Sequence, residues 1–237
     1  MSGLVAAILL DIEGTTTPVD FVYRVLFPYA HARVASYLAA HAHELDVAED
    51  VAGLSEEHVR DLAAGRRPPD WSDSPVAAAA YAHWLMDQDR KATALKSLQG
   101  KLWAEGYTSG ELKGQVYDDV PRALARWTKA GKIVAIFSSG SVLAQKLIFG
   151  HTAFGDLTPY LSAYFDTTTG PKGQAESYRR IATVLHCEPG AMLFVSDVVA
   201  ELKAAREAGL ETALAVRSDT LPTSSAHGPI TTFDQLP

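Results

Sequence analysis

Two acidic residues directly after an apolar segment are the first sign of chemistry in this sequence. The run Leu4 to Leu10 ends in Asp11, and Glu13 follows two residues later. An ionised carboxylate is costly to bury without a partner, so both acids must emerge at the carboxyl end of a buried strand. Ligands of open α/β sheets bind at that end, and the position therefore favours a chemical role for both side chains.

Three further places along the chain carry groups of compatible chemistry. Ser138 and Ser139 follow an apolar run and precede a predicted helix, where hydroxyls and amides can bind phosphate, although such turns also simply cap helices. Lys172 stands in a Gly-Pro-Lys-Gly turn and would otherwise be an ordinary solvated lysine. Asp197 ends another apolar run, where capping of the next helix is the competing interpretation.

Together these groups specify a phosphoryl site with a divalent cation. Carboxylates such as Asp11, Glu13 and Asp197 suit Mg²⁺, which prefers oxygen ligands. A phosphate charge about 4 Å from one carboxylate is repelled by about 4 kcal/mol at an effective dielectric near 20. Mg²⁺ and Lys172 would reverse that repulsion, and an aspartate can then attack phosphorus to form an aspartyl-phosphate.

The elements that must position these groups alternate between strands and helices. Such alternation predicts a parallel sheet with crossover helices. The predicted strands are Leu4–Leu10, Ile133–Phe137, Met192–Val195 and Thr212–Val216. Asp119 is predicted to cap the helix that ends before Gly131, and Val198, Val199, Leu202, Ala205 and Ala208 are predicted to form the apolar face of the last crossover helix.

About 100 residues after the first strand show helical patterns only, which is too long for one crossover. The predicted helical stretches are Phe21 to Leu45, Val47 to Ala64 and Pro75 to about Glu105. We therefore predict an α/β protein with a Rossmann-like parallel core, residues 1–17 and 115–237, and an inserted all-helical cap, residues 18–114. The tail Ser218 to Gly228 is predicted to be a polar loop before a short strand around Ile230 to Phe233.

Composition narrows the class of protein. The 237 residues are 47% hydrophobic and 21% charged, as in ordinary globular proteins, and the net charge of -7 argues against nucleic-acid binding. Cys187 is the single cysteine, so an internal disulfide is excluded, and a structural role is expected for it. The sequence shows no signal peptide and no apolar stretch of about 20 residues, so we expect no membrane contact and a cytoplasmic location.

The motifs resemble those of a known superfamily. Asp11-Ile12-Glu13-Gly14-Thr15 resembles the Asp-x-Asp-Gly-Thr signature of the haloacid dehalogenase superfamily, and Ser138, Lys172 and Asp197 follow in that superfamily's motif order. The flanking segments are similar to the enolase-phosphatases of methionine salvage. These segments are Leu10 to Pro18, Leu26 to Tyr29, Asp89 to Gly100, Ser138 to His151 and Phe165 to Thr167.

The resemblance implies a bifunctional enzyme that acts on a small phosphorylated molecule. Its family enolises 5-methylthio-2,3-dioxopentyl phosphate and then dephosphorylates it to an acireductone. Asp11 resembles the nucleophile and a ligand of one Mg²⁺ per subunit, Asp197 another ligand, and Lys172 the substrate-binding lysine. Ser138 and Ser139 resemble the phosphate contacts. The family also leads us to expect a monomer.

Glu13 departs from the superfamily's second aspartate but matches the enolase-phosphatases. We expect it to contribute to the metal site and to protonate the leaving oxygen or activate water. Glu201 lies one helical turn after Asp197 and either supports the metal site or is a solvated carboxylate. For the enolisation step, the hypothesis is that a carboxylate or Lys172 moves the proton while Mg²⁺ polarises the dicarbonyl.

Three other functions remain open from the sequence. The same superfamily acts on other small phosphorylated metabolites. A signalling module of receiver type also gathers acids, a hydroxyl and a lysine at strand ends, but usually without a long cap. A non-catalytic binding protein could keep the fold.

Overall fold

The computed structural model describes residues 5–217 and 226–237. The chain forms two compact units, the first comprising residues 1–21 and 113–237 and the second residues 22–112. Most of the predicted polar loop Ser218–Gly228 lies outside the described residues. In the described part of the chain, no helix combines the length and the apolar character needed to cross a membrane.

The described part of the first unit is built on a six-stranded sheet in which all neighbouring strands are parallel. The strands are β1 Ala7–Leu10, β2 Ile133–Phe137, β3 Ala163–Phe165, β4 Met192–Ser196, β5 Glu211–Ala215 and β6 Gly228–Ile230. Their order in the sheet is β3-β2-β1-β4-β5-β6. The predicted α/β class with a Rossmann-like parallel core is confirmed.

Strand β1 lies at the centre of the sheet because it is apolar on both faces. All four of its residues are fully buried, as a strand covered by helices on both sides requires. Leu10 pairs with Ile136 of β2 and with Val195 of β4. This register brings the carboxyl ends of the three strands to one edge of the sheet.

Two features of the sheet differ from the prediction. Strand β3 was not predicted, since it is only three residues long and two of them are half-buried, so no apolar run marks it. The final strand ends at Ile230 and not near Phe233. Thr232 caps a 3₁₀ turn over Phe233–Gln235, with the Gln235 side chain bonded back to the Thr232 amide, and this turn stops the strand.

The helices alternate with the strands in the first unit and make up the second unit. In chain order, the described helices are α1 Val19–Phe21, α2 Phe27–His41, α3 Leu45–Ala63, α4 Pro75–Asp87, α5 Thr93–Thr108, α6 Asp119–Lys129, α7 Val142–Gly150, α8 Ala175–Val184 and α9 Val199–Glu207. A π-helical turn, Val22–Leu26, precedes α2.

Two helix predictions in the first unit are wrong in detail. Asp119 does not cap α6; it is the first residue of that helix, and its carboxylate accepts hydrogen bonds from Arg217 and from the Phe233 amide. Val198 and Val199 do not join the buried face of α9 but are 41% and 42% exposed. Val198 is the cap residue before the helix and Val199 is its first residue, so both lie at its exposed start.

In the second unit, the predicted helix from Pro75 to about Glu105 is interrupted between α4 and α5. Asp89 has a φ of 49°, a left-handed conformation that ends a helix, and the Arg90 amide bonds back to the Leu85 carbonyl. Asparagine and aspartate tolerate this conformation better than most residues, but aspartate gives no clear stop signal in a sequence. The break was therefore not predicted.

A buried carboxylate fixes the second unit internally. The Asp61 side chain is fully buried and accepts hydrogen bonds from Tyr81 at 2.7 Å, from Arg66 at 2.5 Å and from Arg90 at 3.1 Å. Arg90 also contacts Glu57 at 2.6 Å. Burial alone would raise the pKa of Asp61, but these donors outweigh burial, and the pKa is lowered. The arginines therefore stabilise an ionised Asp61.

Replacing Asp61 with asparagine should lower the free energy of unfolding by about 3 kcal/mol at pH 7, because Arg66 and Arg90 lose a buried carboxylate and only Arg90 keeps a second one, Glu57. Urea unfolding followed by tryptophan fluorescence measures this, since Trp71, Trp84 and Trp103 all lie in the second unit. The folded-state pKa of Asp61 is depressed, so the difference from wild type should be complete above about pH 4 and shrink as the pH falls further.

Asp46→Asn is the matched control, because the Asp46 side chain is 64% exposed where it meets Lys101. It should change stability by less than about 1 kcal/mol. Equal losses in both variants would contradict the special role of Asp61.

Candidate active site

The predicted acids meet where the strand order reverses. Asp11 follows β1 and Asp197 follows β4, and these two strands are neighbours at the centre of the sheet. After β1, the chain forms β2 and β3 on one side of β1 and then β4 on its other side. In doubly wound sheets, the crevice that binds ligands lies between the carboxyl ends of the two strands at such a reversal. Asp11 is 4% exposed. The structure therefore brings both predicted carboxylates to the position where doubly wound sheets bind ligands.

A compact turn explains the three threonines that follow Asp11. The amides of Thr15, Thr16 and Thr17 all donate to the Ile12 carbonyl, at 3.1, 3.0 and 2.9 Å. The Thr16 hydroxyl donates to the Asp11 carbonyl at 3.0 Å. All three threonines are fully buried, and the hydroxyls of Thr15 and Thr16 form hydrogen bonds with backbone groups there. We call residues 11–17 the nucleophile loop, after the role that the sequence resemblance predicts for Asp11.

The nucleophile loop holds Asp197 directly. The Asp197 amide donates to the Thr15 hydroxyl at 3.0 Å. Helix α9 takes Val198 as its cap residue and receives no side-chain cap, so the competing interpretation of Asp197 as a helix cap is wrong. Loss of hydration and the negative charge of Asp11 raise the pKa of Asp197 to about 6. A bound cation would offset both effects and stabilise the ionised form of Asp197.

Lys172 joins two of the site's carboxylates. Its Nζ lies 2.5 Å from Asp11 Oδ1 and 2.7 Å from Glu201 Oε2, and its side chain is 11% exposed. Burial alone would lower the pKa of Lys172, but the charges of Asp11 and Glu201 outweigh burial, and the pKa is raised. Lys172 is therefore a buried ammonium and not a solvated surface lysine.

The turn before α8 fixes the backbone of Lys172. The Tyr178 hydroxyl donates to the Lys172 carbonyl at 2.7 Å, and the Ser177 hydroxyl donates to the Pro171 carbonyl at 2.8 Å. Gly170 has a φ of 144°, and a Cβ there would lie 2.4 Å from Ser177 Oγ. The turn thus needs a glycine, and helix α8 presents the two hydroxyls that hold it.

Glu201 is a member of the site that the sequence left undecided. It contacts Lys172, and it accepts a hydrogen bond from the Ser196 hydroxyl at 3.0 Å. Ser196 Oγ also lies 3.5 Å from Asp11 Oδ2. In the sequence, the only sign that Glu201 belongs to the site was its spacing of one helical turn after Asp197. With one ammonium among Asp11, Asp197 and Glu201, the site carries excess negative charge.

Hydrogen bonds hold the loop after β2. Ser138 is 2% exposed; its amide donates to the Phe165 carbonyl at 3.2 Å, and its hydroxyl accepts from the Gly140 amide at 3.1 Å. Ser141 caps α7, as its hydroxyl accepts from the Ala144 amide. Ser141 is therefore the serine of this turn that caps the helix. Ser139 is half-buried and stands at the turn itself.

Glu13 lies in the nucleophile loop, and its backbone pairs with that of Thr17. Its side chain is half-buried. Over residues 5–217 and 226–237, no three His, Cys, Asp or Glu side chains are grouped so that they could hold a metal ion by themselves. Mg²⁺ needs no such group, because it keeps several waters and is usually held by one or two carboxylates together with substrate phosphate.

Comparisons with known proteins agree with this geometry. The model of the family "haloacid dehalogenase-like hydrolase" matches residues 5–209. The chain is 54% identical to enolase-phosphatase E1 of Synechococcus elongatus, over 90% of this chain and 89% of that protein. It is 47% identical to enolase-phosphatase E1 of Sorangium cellulosum, over 97% and 96%. The identity to enolase-phosphatase E1 of Drosophila melanogaster is 48%, over 86% and 80%.

Solved structures share the fold. The UTR4 protein of Saccharomyces cerevisiae is similar with a TM-score of 0.81 and 33% identity, covering 98% of this chain and 100% of that one. CbbY from Rhodobacter sphaeroides, solved in complex with phosphate, has a TM-score of 0.57 and 18% identity, covering 98% and 96%. The second likeness bears on the fold alone.

Replacing Gly14 with alanine should abolish activity while the protein still folds. Gly14 has a φ of 71°, and a Cβ there would lie 2.2 Å from Asp197 Oδ2, so Asp197 or the loop must move. Displacing reactive groups by about 1 Å costs about 100-fold in rate. Phosphate release and the melting temperature measure the two effects.

Gly131→Ala is the matched control, since Gly131 has a φ of 77° and open space where the Cβ would lie. Both variants should lose about 1 kcal/mol of stability through backbone strain. Retained activity in Gly14→Ala, or an equal loss of activity in Gly131→Ala, would refute the proposed contact with Asp197.

Proposed function

Because this chain belongs to the haloacid dehalogenase-like hydrolases and, within them, to the enolase-phosphatases, we propose that it is the acireductone synthase of methionine salvage. It converts 5-methylthio-2,3-dioxopentyl phosphate to 1,2-dihydroxy-5-(methylthio)pent-1-en-3-one and phosphate. The chain is an enzyme and not a receiver module or a non-catalytic binding protein.

One observation supports the phosphatase half above all others. The buried Asp11 carboxylate is held 2.5 Å from the buried Lys172 ammonium, at the switch point of the sheet. A carboxylate fixed beside a cation at a ligand-binding edge is suited to nucleophilic attack on a phosphate ester. The identity to enolase-phosphatases in turn supports the diketo phosphate as the substrate.

The residues of the site fit a bound Mg²⁺. Asp11 and Asp197 offer hard oxygen ligands, and the raised pKa of Asp197 reflects loss of hydration and the negative charge of Asp11, both of which a bound cation would offset. We propose Asp11, Glu13 and Asp197 as the residues that hold one Mg²⁺ per subunit, with Glu13 contributing a backbone or carboxylate oxygen. When bound, Mg²⁺ supplies positive charge that offsets phosphate repulsion and polarises the dicarbonyl.

The first half of the reaction is an enolisation. A carboxylate of the site takes a proton from the carbon that carries the phosphate ester. The electron pair of that C–H bond forms a C=C bond to the neighbouring carbonyl carbon, and the π electrons of the carbonyl move to its oxygen. The carboxylic acid then gives the proton to that oxygen. The product is an enol phosphate. The Lys172 ammonium, which lies 2.5 Å from Asp11 and 2.7 Å from Glu201, is placed to bind the substrate's oxygens, and we propose a carboxylate of the site as the proton acceptor.

The second half is phosphoryl transfer to Asp11. Its carboxylate attacks phosphorus, the bond from phosphorus to the enol oxygen breaks, and Glu13 protonates that oxygen. Glu13 then accepts a proton from water, which attacks the aspartyl-phosphate at phosphorus and releases inorganic phosphate and free Asp11. Ser138, Ser139 and Lys172 bind the phosphoryl oxygens during both steps.

The remaining assignments follow from the family and stay proposals. Residues 1–17 and 115–237 form the catalytic core, and residues 18–114 form the helical cap. The enzyme acts as a monomer in the cytoplasm. It binds a small phosphorylated molecule and binds neither nucleic acid nor a membrane.

The test is steady-state phosphate release from the diketo phosphate, recorded together with the ultraviolet absorbance of the enol products. Release should require Mg²⁺, stop on chelation, and fall by about a thousandfold or more in Asp11→Asn, because the amide cannot act as a nucleophile. Asp118→Asn, at an exposed carboxylate of the same unit, is the control and should behave as wild type.

Two outcomes would refute separate parts of the proposal. If phosphate is released from simple esters but not from the diketo phosphate, the assignment of the methionine-salvage substrate is refuted and the phosphatase activity stands. If Asp11→Asn retains activity, the assignment of Asp11 as the nucleophile is refuted.

A further inference from the structure

Arg217 is a buried cation next to the site that the chemistry above does not use. It follows β5, and its side chain is only 9% exposed. The guanidinium carbon lies 4.4 Å from the centre of the Tyr117 ring and 4.4 Å from that of Phe233. Both rings therefore lie within cation–π distance of the guanidinium.

Hydrogen bonds from the guanidinium connect three segments of the first unit. Nη1 lies 2.7 Å from Asp119 Oδ2 and also donates to the Thr231 carbonyl at 3.2 Å. Nε donates to the Thr15 carbonyl at 2.9 Å. A guanidinium has a rigid fork of donors, so fixing one side of it on Asp119 fixes the direction of the bond to Thr15.

Thr15 is the residue through which the nucleophile loop holds Asp197. Its hydroxyl accepts the Asp197 amide, while its own amide donates to the Ile12 carbonyl. Arg217 is thus one hydrogen bond from the loop and two from Asp197. The loop is also held at Thr16, whose carbonyl accepts the Tyr117 amide at 3.0 Å.

We propose that Arg217, oriented by Asp119, is a positioning residue for the phosphoryl-transfer site. The proposal rests on the proposed function only in taking residues 11–17 as the nucleophile loop. The positive charge of Arg217 is paired with Asp119, so its contribution is geometric: it fixes Thr15 and, through Thr15, the placement of Asp197 relative to Asp11. Misplacing these groups by about 1 Å would cost about 100-fold in rate.

The test uses Arg217→Lys, which keeps the charge but loses the fork. Its kcat should fall about 10- to 100-fold while KM stays within about threefold, because geometry in the transition state is lost and substrate binding is not. Rates are taken relative to wild type on whichever ester the wild type hydrolyses, the diketo phosphate or p-nitrophenyl phosphate. A wrong substrate assignment therefore leaves this test intact.

Arg126→Lys is the matched control. Arg126 donates to the carbonyls of Phe233 and Leu236, so it anchors the same C-terminal segment without a bond to the nucleophile loop. It should keep the wild-type kcat. In Arg217→Ala, added guanidinium ion at millimolar concentration should restore part of the kcat, a response that a general loss of stability would not give.

An unchanged kcat in Arg217→Lys overturns the proposal, as does an equal loss in Arg126→Lys or a loss confined to KM. If Arg217→Lys does not fold, Asp119→Asn carries the test, because it frees one side of the guanidinium and keeps the residue's volume. Its kcat should fall in the same direction, and a wild-type kcat in that variant overturns the proposal.

Discussion

The structure depends on keeping several carboxylates close together at one edge of a sheet. Asp11, Asp197 and Glu201 would repel each other without a cation, and Lys172 compensates two of them directly. Asp197 has no such ion pair within this group, and loss of hydration together with the negative charge of Asp11 raises its pKa. The Lys172 ammonium therefore balances only part of the negative charge of these carboxylates. Such an excess of negative charge favours binding of a divalent cation, which in turn favours binding of a phosphate.

The fold meets this condition with backbone geometry more than with side chains. Neighbouring parallel strands β1 and β4 deliver Asp11 and Asp197 to one crevice. The turn after Asp11 has no room for a side chain at Gly14, since Asp197 lies against it, and Thr15 bonds the Asp197 amide. The same loop is held from outside by Arg217 and Tyr117. Each carboxylate is thus placed by contacts that span the whole first unit.

The sequence predicted the parallel core because its central strands are buried on both faces and appear as uninterrupted apolar runs. It predicted Asp11, Ser138, Lys172 and Asp197 as site members because they stand at or near strand ends, and the structure brings Asp11, Lys172 and Asp197 together. It missed β3, which is too short for such a signal. Asp119 was expected to cap its helix but pairs with Arg217, 98 residues away, and Arg217 reaches Thr15 across 202 residues. Pairings at such separations leave no local pattern, so neither residue could be assigned from spacing.

The most direct measurement of the central claim is the chemical identity of the phosphorylated residue. Enzyme mixed with the diketo phosphate and quenched within one turnover is reduced with borohydride, which converts an acyl phosphate of aspartate to homoserine, and is then mapped by mass spectrometry. The account predicts homoserine at Asp11 only, and none when substrate is omitted. Modification at another carboxylate, or none under conditions where the enol product is released in a burst ahead of phosphate, would contradict Asp11 as the nucleophile.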